Sequence, residues 1–263
     1  MFQLLCAFNF ANNNNKKIAL NRRFIKSNGH STINYFETIF NKFTIQDNIQ
    51  IKSKHHEINC FDFGEIPNDS NLLIIGFFQN KKYLGDIPNN FHEIINLPQL
   101  SLQKLSNFSS RCEKDCILKK SMFIHFRLGD YYLPVFSPSL DVGLLKDDYA
   151  YYKNALTNFD VDSIDNIYIL SNDLGQAKTI IHKIIYDSSK IKYVDGNEIE
   201  CLMVMSQCEF GGICANSTFS WWGAYLNKLY NISDHKSFIF PKKWILTHSD
   251  CNIQFDGSIL IEC

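Results

Sequence analysis

Histidine, arginine and aspartate crowd the segment Ile124-His125-Phe126-Arg127-Leu128-Gly129-Asp130-Tyr131, where an apolar run gives out. On an extended strand alternate side chains share a face, so Phe123, His125 and Arg127 point one way and Ile124 and Phe126 the other. Gly129 allows a tight turn that presents Asp130 and Tyr131 in a loop. Two uses fit this spacing: a charged strand end that binds a ligand, and a plain Arg127–Asp130 surface ion pair.

A second constellation lies in "CANSTFSWWGAYL", residues 214–226. An apolar strand runs into Asn216, Ser217, Thr218 and Ser220 ahead of a strongly apolar helix. Asn or Ser there is a natural N-cap, and the same geometry leaves amides and hydroxyls at a helix start, a ready site for a phosphate. Phe219, Trp222 and Leu226 share one helical stripe and Trp221 and Tyr225 the next, the spacing of core packing. At a third strand end, Ser171, Asn172 and Asp173 either meet a ribose or base edge or simply cap the helix that follows. Asp147 and Asp148 precede another helix and read as first-turn acids favoured by its dipole rather than as a metal pair. His55 and His56 have no ligand partners at recognisable spacing and read as surface. Cys112 and Cys116 lack a second pair, so no zinc site is expected.

The elements that must position these groups are clearest in the second half. Residues 121–127 and 166–171 read as strands, followed by a helical pattern from 174 and a short strand "IKYVD". A helix around "EIECLMVMSQC", a strand "FGGICAN", the helix "STFSWWGAYLNKLY" and a last strand "SFIF" complete the alternation. Strands alternating with helices of this length imply parallel crossovers and a doubly wound sheet, so residues 119–263 are expected to form one Rossmann-like domain. Residues 1–118 read as a second α/β domain, with helices at the start and near "INYFETIFNKF", strands at "KIAL", "EINCFDF" and "NLLIIGFF", and a linker at 106–116.

Composition bounds the function classes. Twenty-six basic and 27 acidic side chains give a formal charge of −1, so no global field favours nucleic acid or an anionic membrane. No run of about 18 apolar residues occurs, and the start lacks the basic flank and cleavage site of a signal peptide. Nine scattered cysteines, several in apolar runs, suggest reduced thiols and a cytoplasmic setting. The sequon at Asn216-Ser217-Thr218 reads as accidental.

"HFRLGDY" resembles the H-x-R-R-G-D-Y motif of the α-1,2-fucosyltransferases, and "ANSTFSWWGAYL" their N-S-[ST]-F-S-W-W-[GA]-A-x-L motif. Weaker likenesses follow in the same order: "MFQLLCAF", "IGFFQNKKYL", "YAYYKNAL", "YILSND" and "FPKKW". The resemblance implies a GT-B-like α/β enzyme, two Rossmann-like domains facing a cleft, that moves fucose from GDP-fucose to a galactose 2-hydroxyl of a glycan acceptor with inversion. No metal or cofactor is implied, with the donor bound by the second domain and the acceptor by the first. It casts Arg127 as the cation that meets the departing diphosphate and Asp130 as a base for the acceptor hydroxyl. His125, Ser171, Asp173, Asn216, Ser217, Thr218 and Phe219 then belong to the donor site. The chain departs from the family pattern twice. Leu128 stands where a second arginine is usual, and the glycine-rich opening that precedes M-F-Q in the family is not present ahead of Met1-Phe2-Gln3. An internal methionine taken as the start and a non-catalytic GDP-sugar-binding relic are the two readings of those departures.

Overall fold

The computed structural model describes residues 1–22, 34–57, 59, 62–85, 95, 118–230, 233–248, 251 and 253–263. It divides into two compact units, Met1–Leu100 and Ser101–Cys263. The linker expected at 106–116 lies outside the described residues.

In the first unit, helix α1 (Phe2–Asn13) buries Phe2, Leu4, Leu5, Cys6 and Ala11. Strands β1 (Ser53–His56) and β2 (Leu72–Ile75) pair in parallel, and a single turn of helix, α2 (Lys81–Leu84), is capped by Asn80. Of the strand expected over residues 57–63, residues 58, 60 and 61 lie outside the described residues; β1 instead ends just ahead of it, at His56. The Glu57 carboxylate is taken up by the amides of Phe77 and Phe78, at 2.6 and 2.9 Å. That clamp holds Phe78 at φ 54° with its ring buried against Cys6 and Tyr83. The helix expected near residues 33–43 is a chain of turns whose bonds run from residue 37 to 34 and from 38 to 35, with no continuing i to i+4 ladder. "KIAL" contributes one isolated bridge, Leu20 to Ile45. His56 is exposed, but His55 is half-buried and its Nε2 is enclosed without a hydrogen-bond partner.

The second unit is a six-stranded, wholly parallel sheet. Across it lie β5 (Ile191–Tyr193), β4 (Asn166–Ser171), β3 (Ser121–Phe126), β6 (Gly211–Ile213), β7 (Ser237–Pro241) and β8 (Ile259–Ile261). Counted from β3, the order is 3-2-1-4-5-6, that of a doubly wound dinucleotide-binding sheet. The parallel crossovers expected from the alternation are present. The edge strand β8 escapes notice in the sequence because it is three residues long and mostly exposed.

All six residues of β3 are buried, as a central strand covered on both faces requires. Met122, Ile124, Phe126 and Leu128 sink into one core together with Tyr151 and Tyr152 of helix α4 (Ala150–Leu156), which follows a short helix, α3 (Ser137–Leu140). On the opposite side of the pleat, Phe123 lies so close to β6 that a Cβ on Gly212 would stand 2.3 Å from the Phe123 carbonyl oxygen. Only glycine lets these two strands meet. The Tyr152 hydroxyl donates to the His125 carbonyl at 3.3 Å and the Tyr151 hydroxyl to the Cys214 carbonyl at 2.6 Å, so two buried phenols brace the ends of β3 and β6.

Asp147 and Asp148 are not first-turn acids. With Tyr149 they form a left-handed turn, φ 48°, 55° and 62°, which leaves no acid in the first turn of α4 and lets Asp148 reach Lys153 at 2.5 Å. Beyond β4 and β5 come α5 (Leu174–Ile181) and α6 (Glu198–Gln207), the latter opened by a capping box between Asn197 and Glu200. Helix α7 (Thr218–Tyr230) carries the aromatic stripes. Trp221, Trp222, Tyr225 and Leu226 are buried as packing residues. Trp221 stacks on Tyr225 at an interplanar angle of 11° and donates its indole N–H to the Ile253 carbonyl at 2.7 Å. Phe219 is only half-buried.

Truncating Trp221 to alanine therefore removes a filled volume and a buried hydrogen bond, and is expected to cost about 3–5 kcal/mol in urea unfolding. Phe219→Ala is expected to cost clearly less in the same measurement.

Candidate functional site

In a doubly wound sheet the chain leaves strands 1 and 4 in opposite directions, which opens a crevice outside their carboxyl ends. Here those strands are β3 and β6. The two constellations singled out in the sequence, around His125 and around Ser217, meet at that crevice. The His125 and Phe219 ring centroids are 5.6 Å apart, and the Tyr131 hydroxyl donates to the Asn216 carbonyl at 3.3 Å.

Arg127 leaves the end of β3 half-buried. Its Nη2 donates to Asp130 Oδ2 at 2.7 Å, and its guanidinium lies over the Tyr131 ring, 4.9 Å from the centroid. The turn that brings Asp130 back to it needs Gly129, whose φ is +65° and whose neighbour Asn172 Nδ2 would stand 3.3 Å from any Cβ. The ion pair expected as one reading is thus real, but it leaves valences open. Arg127 Nε, Asp130 Oδ1 and His125 Nδ1 are all enclosed without a hydrogen-bond partner. Buried polar atoms are nearly always paired. Three unpartnered polar atoms share the end of β3 and the turn that follows it.

His125 is 3% exposed, and burial, with the Arg127 charge second, pushes its imidazole down to about pKa 3. The ring is therefore neutral at physiological pH and adds no charge to the mouth. Burial raises the Tyr131 hydroxyl above its ordinary value, so it remains a neutral donor.

On the β6 side, Ser217 caps α7. Its Oγ accepts from the Phe219 amide at 3.3 Å and its carbonyl from the Trp221 amide at 3.0 Å. Thr218 opens the helix. Asn216 turns away from the crevice, its Nδ2 donating to the carbonyls of Leu140 at 2.9 Å and Trp244 at 3.1 Å, so its side chain brackets three loops together.

At the end of β4, Ser171 and Asp173 serve each other and the helix. Ser171 Oγ accepts from the Asp173 amide at 3.0 Å, and Asp173 Oδ1 accepts from the Gln176 amide at 2.9 Å. Their neighbour Asn172 makes the contact that matters to the crevice. Its Oδ1 accepts from the Leu128 amide and its Nδ2 donates to the Leu128 carbonyl, both at 2.8 Å. One side chain thereby adds a further rung beyond the last β3–β4 pair, Phe126 with Ser171. Asn172, expected to meet a ribose or base edge or to cap a helix, instead bonds the Leu128 backbone, and Tyr131, expected only to sit in the loop, bonds the Asn216 carbonyl. The signal for both is strand order, which puts residue 172 beside 128 and residue 131 beside 216.

Among the described residues no group of three or more His, Cys, Asp or Glu side chains could hold a metal ion, and no helix is long and apolar enough to cross a membrane. Cys112 and Cys116 lie outside the described residues.

Residues 15–233 match the model of glycosyl transferase family 11. The chain belongs to this family. The family-11 chain is 31% identical over 179 residues to an α-1,2-colitosyltransferase of Escherichia coli, covering 65% of this chain and 55% of that protein. It is 25% identical over 230 residues to the O-antigen biosynthesis glycosyltransferase WbnK of Escherichia coli, covering 85% and 66% respectively. The chain thus spans between about half and two thirds of those relatives' own lengths. No solved structure matches it.

For a family-11 glycosyltransferase the departure at Leu128 now has a location. The side chain is 0% exposed and lies in the core with Met122, Ile124 and Phe126, on the face of β3 opposite Arg127. Leu128→Arg is accordingly expected to lower the free energy of unfolding by about 3 kcal/mol or more, because it buries an unpaired charge.

His125 gives the site a pH signature. Its folded pKa lies below the ordinary 6.5, so below that pH the unfolded chain binds a proton that the native chain does not. Stability is expected to fall as pH drops from about 6.5 towards 3. Urea unfolding across that window should show a shallower fall for His125→Gln.

Proposed function

We propose that this family-11 glycosyltransferase transfers fucose from GDP-fucose to a galactose 2-hydroxyl of a glycan acceptor, with inversion and without a metal. The donor belongs to the second unit and the acceptor to the first, the division of labour of a GT-B enzyme. The observation that carries the proposal is the half-buried Arg127, with Nε unpartnered, at the same crevice as the start of α7.

The chemistry follows from charge. As the bond from the sugar anomeric carbon to the diphosphate breaks, its electron pair leaves with GDP and the sugar becomes oxocarbenium-like. A fixed guanidinium and a helix N-terminus stabilise that developing negative charge without having to reorganise. The always-protonated fork of Arg127 suits two phosphate oxygens. His125, neutral and buried, offers ring nitrogens to orient the nucleotide, with Ser217, Thr218 and Phe219 lining the other side. The acceptor hydroxyl attacks the anomeric carbon from the opposite face and loses its proton to Asp130, whose Oδ1 is the oxygen not engaged by Arg127. Asn216, Ser171 and Asp173 take part through backbone and capping bonds that hold the strand ends.

A second reading concerns the donor sugar. The likeness to a colitosyltransferase favours colitose in place of fucose on the same nucleotide. Incubating the protein with GDP-fucose or GDP-colitose and lactose distinguishes the two by the mass of the product. GDP binding with no turnover of either donor supports the non-catalytic relic instead. Arg127→Ala is expected to lower kcat/KM about a hundredfold and to weaken GDP, while Asp130→Asn lowers kcat with GDP affinity near that of the wild type. Unchanged kinetics in Arg127→Ala would remove the guanidinium from the site.

A further inference from the structure

Arg127 and α7 belong to different strand ends, and a diphosphate held by both needs their separation fixed. One side chain touches the two. The Tyr131 ring lies under the Arg127 guanidinium, 4.9 Å from centroid to carbon, and the same residue's hydroxyl donates to the Asn216 carbonyl at 3.3 Å. Asn216 directly precedes Ser217, whose Oγ caps α7. The far end of this strut is itself anchored, because Asn216 Nδ2 holds the carbonyls of Leu140 and Trp244. Asp130 grips only Nη2 of the guanidinium, and one bond alone does not fix the tilt of the planar group, which the ring beneath it sets.

We propose that Tyr131 is a positioning residue for the donor diphosphate: its ring carries the Arg127 guanidinium and its hydroxyl ties that cation to the beginning of α7. The inference rests on the reading of this crevice as the donor site. Tyr131 touches no reacting atom, and its effect passes entirely through Arg127. Two separable contributions follow. The ring supplies a cation–π contact, and the hydroxyl supplies the tether across the switch point.

GDP affinity, measured by titration calorimetry on the whole chain, tests this. Tyr131→Leu is expected to weaken GDP about tenfold and Tyr131→Phe about threefold. Added to Arg127→Ala, Tyr131→Leu is expected to weaken it by less than about twofold further, the signature of two residues acting as one. A side chain that only fills space loses the same affinity in both backgrounds, and that result overturns the proposal. Wild-type affinity in Tyr131→Leu overturns it as well. Should Tyr131→Leu not fold, Tyr131→Phe measured in the same two backgrounds decides by the same comparison. GDP that fails to bind the wild type defeats the donor reading itself and takes this inference with it, a result distinct from either of the others.

Discussion

Met122, Ile124, Phe126 and Leu128 are locked at every second position into one hydrophobic core, and the backbone of β3 then has no freedom over where His125 and Arg127 go. A slip of one residue would drive a guanidinium into that core and expel four apolar side chains, so the register is strongly specified. Everything at the crevice inherits this. The ladder to β4 ends at Phe126, yet the Asn172 side chain pairs the next-but-one backbone unit and carries the register out to the turn. Gly129 then folds Asp130 back onto the cation so placed.

The electrostatics of the crevice are sparse. His125 contributes no charge because burial keeps it neutral. The Arg127 charge is partly offset by Asp130, and the amide-rich start of α7 supplies a partial positive charge from the other side. An anion entering here meets a modest field whose donors are already oriented. On the proposed donor reading, affinity depends on how rigidly those donors are held rather than on how many there are, and the tyrosine, asparagine and serine bonds around them then belong to recognition.

The parallel sheet and the two chemistry-bearing strand ends were legible because period-two and helical patterns alternate strongly from residue 121 onward, and because His125 and Arg127 sit at the junction of strand and turn. Trp221 and Trp222 were rightly read as core from helical spacing. The first unit was less legible. Its turns at 34–43 are fixed by scattered backbone bonds, and its first strand stops where Glu57 finds amides twenty residues away, a contact no local pattern encodes. Ser171 and Asp173 read as ligand groups or as helix caps, because the two uses draw on the same residue types. Geometry shows the capping bonds that Ser171 Oγ and Asp173 Oδ1 accept, and the pairing of the Asn172 side chain between them with the Leu128 backbone. Leu128 looked like a missing cation and proved to be a core residue.

The strand order also governs when this crevice can exist. β3 must wait for β4 to arrive and then for β6, nearly ninety residues further along the chain, before both its edges are paired. Until Gly212 emerges from the ribosome, one flank of a strand with four apolar residues in six stays bare, in a topology whose long loops close slowly. Expression of any fragment that stops before β6 would leave that flank open to other chains, and the natural protein passes through the same vulnerable interval each time it is made.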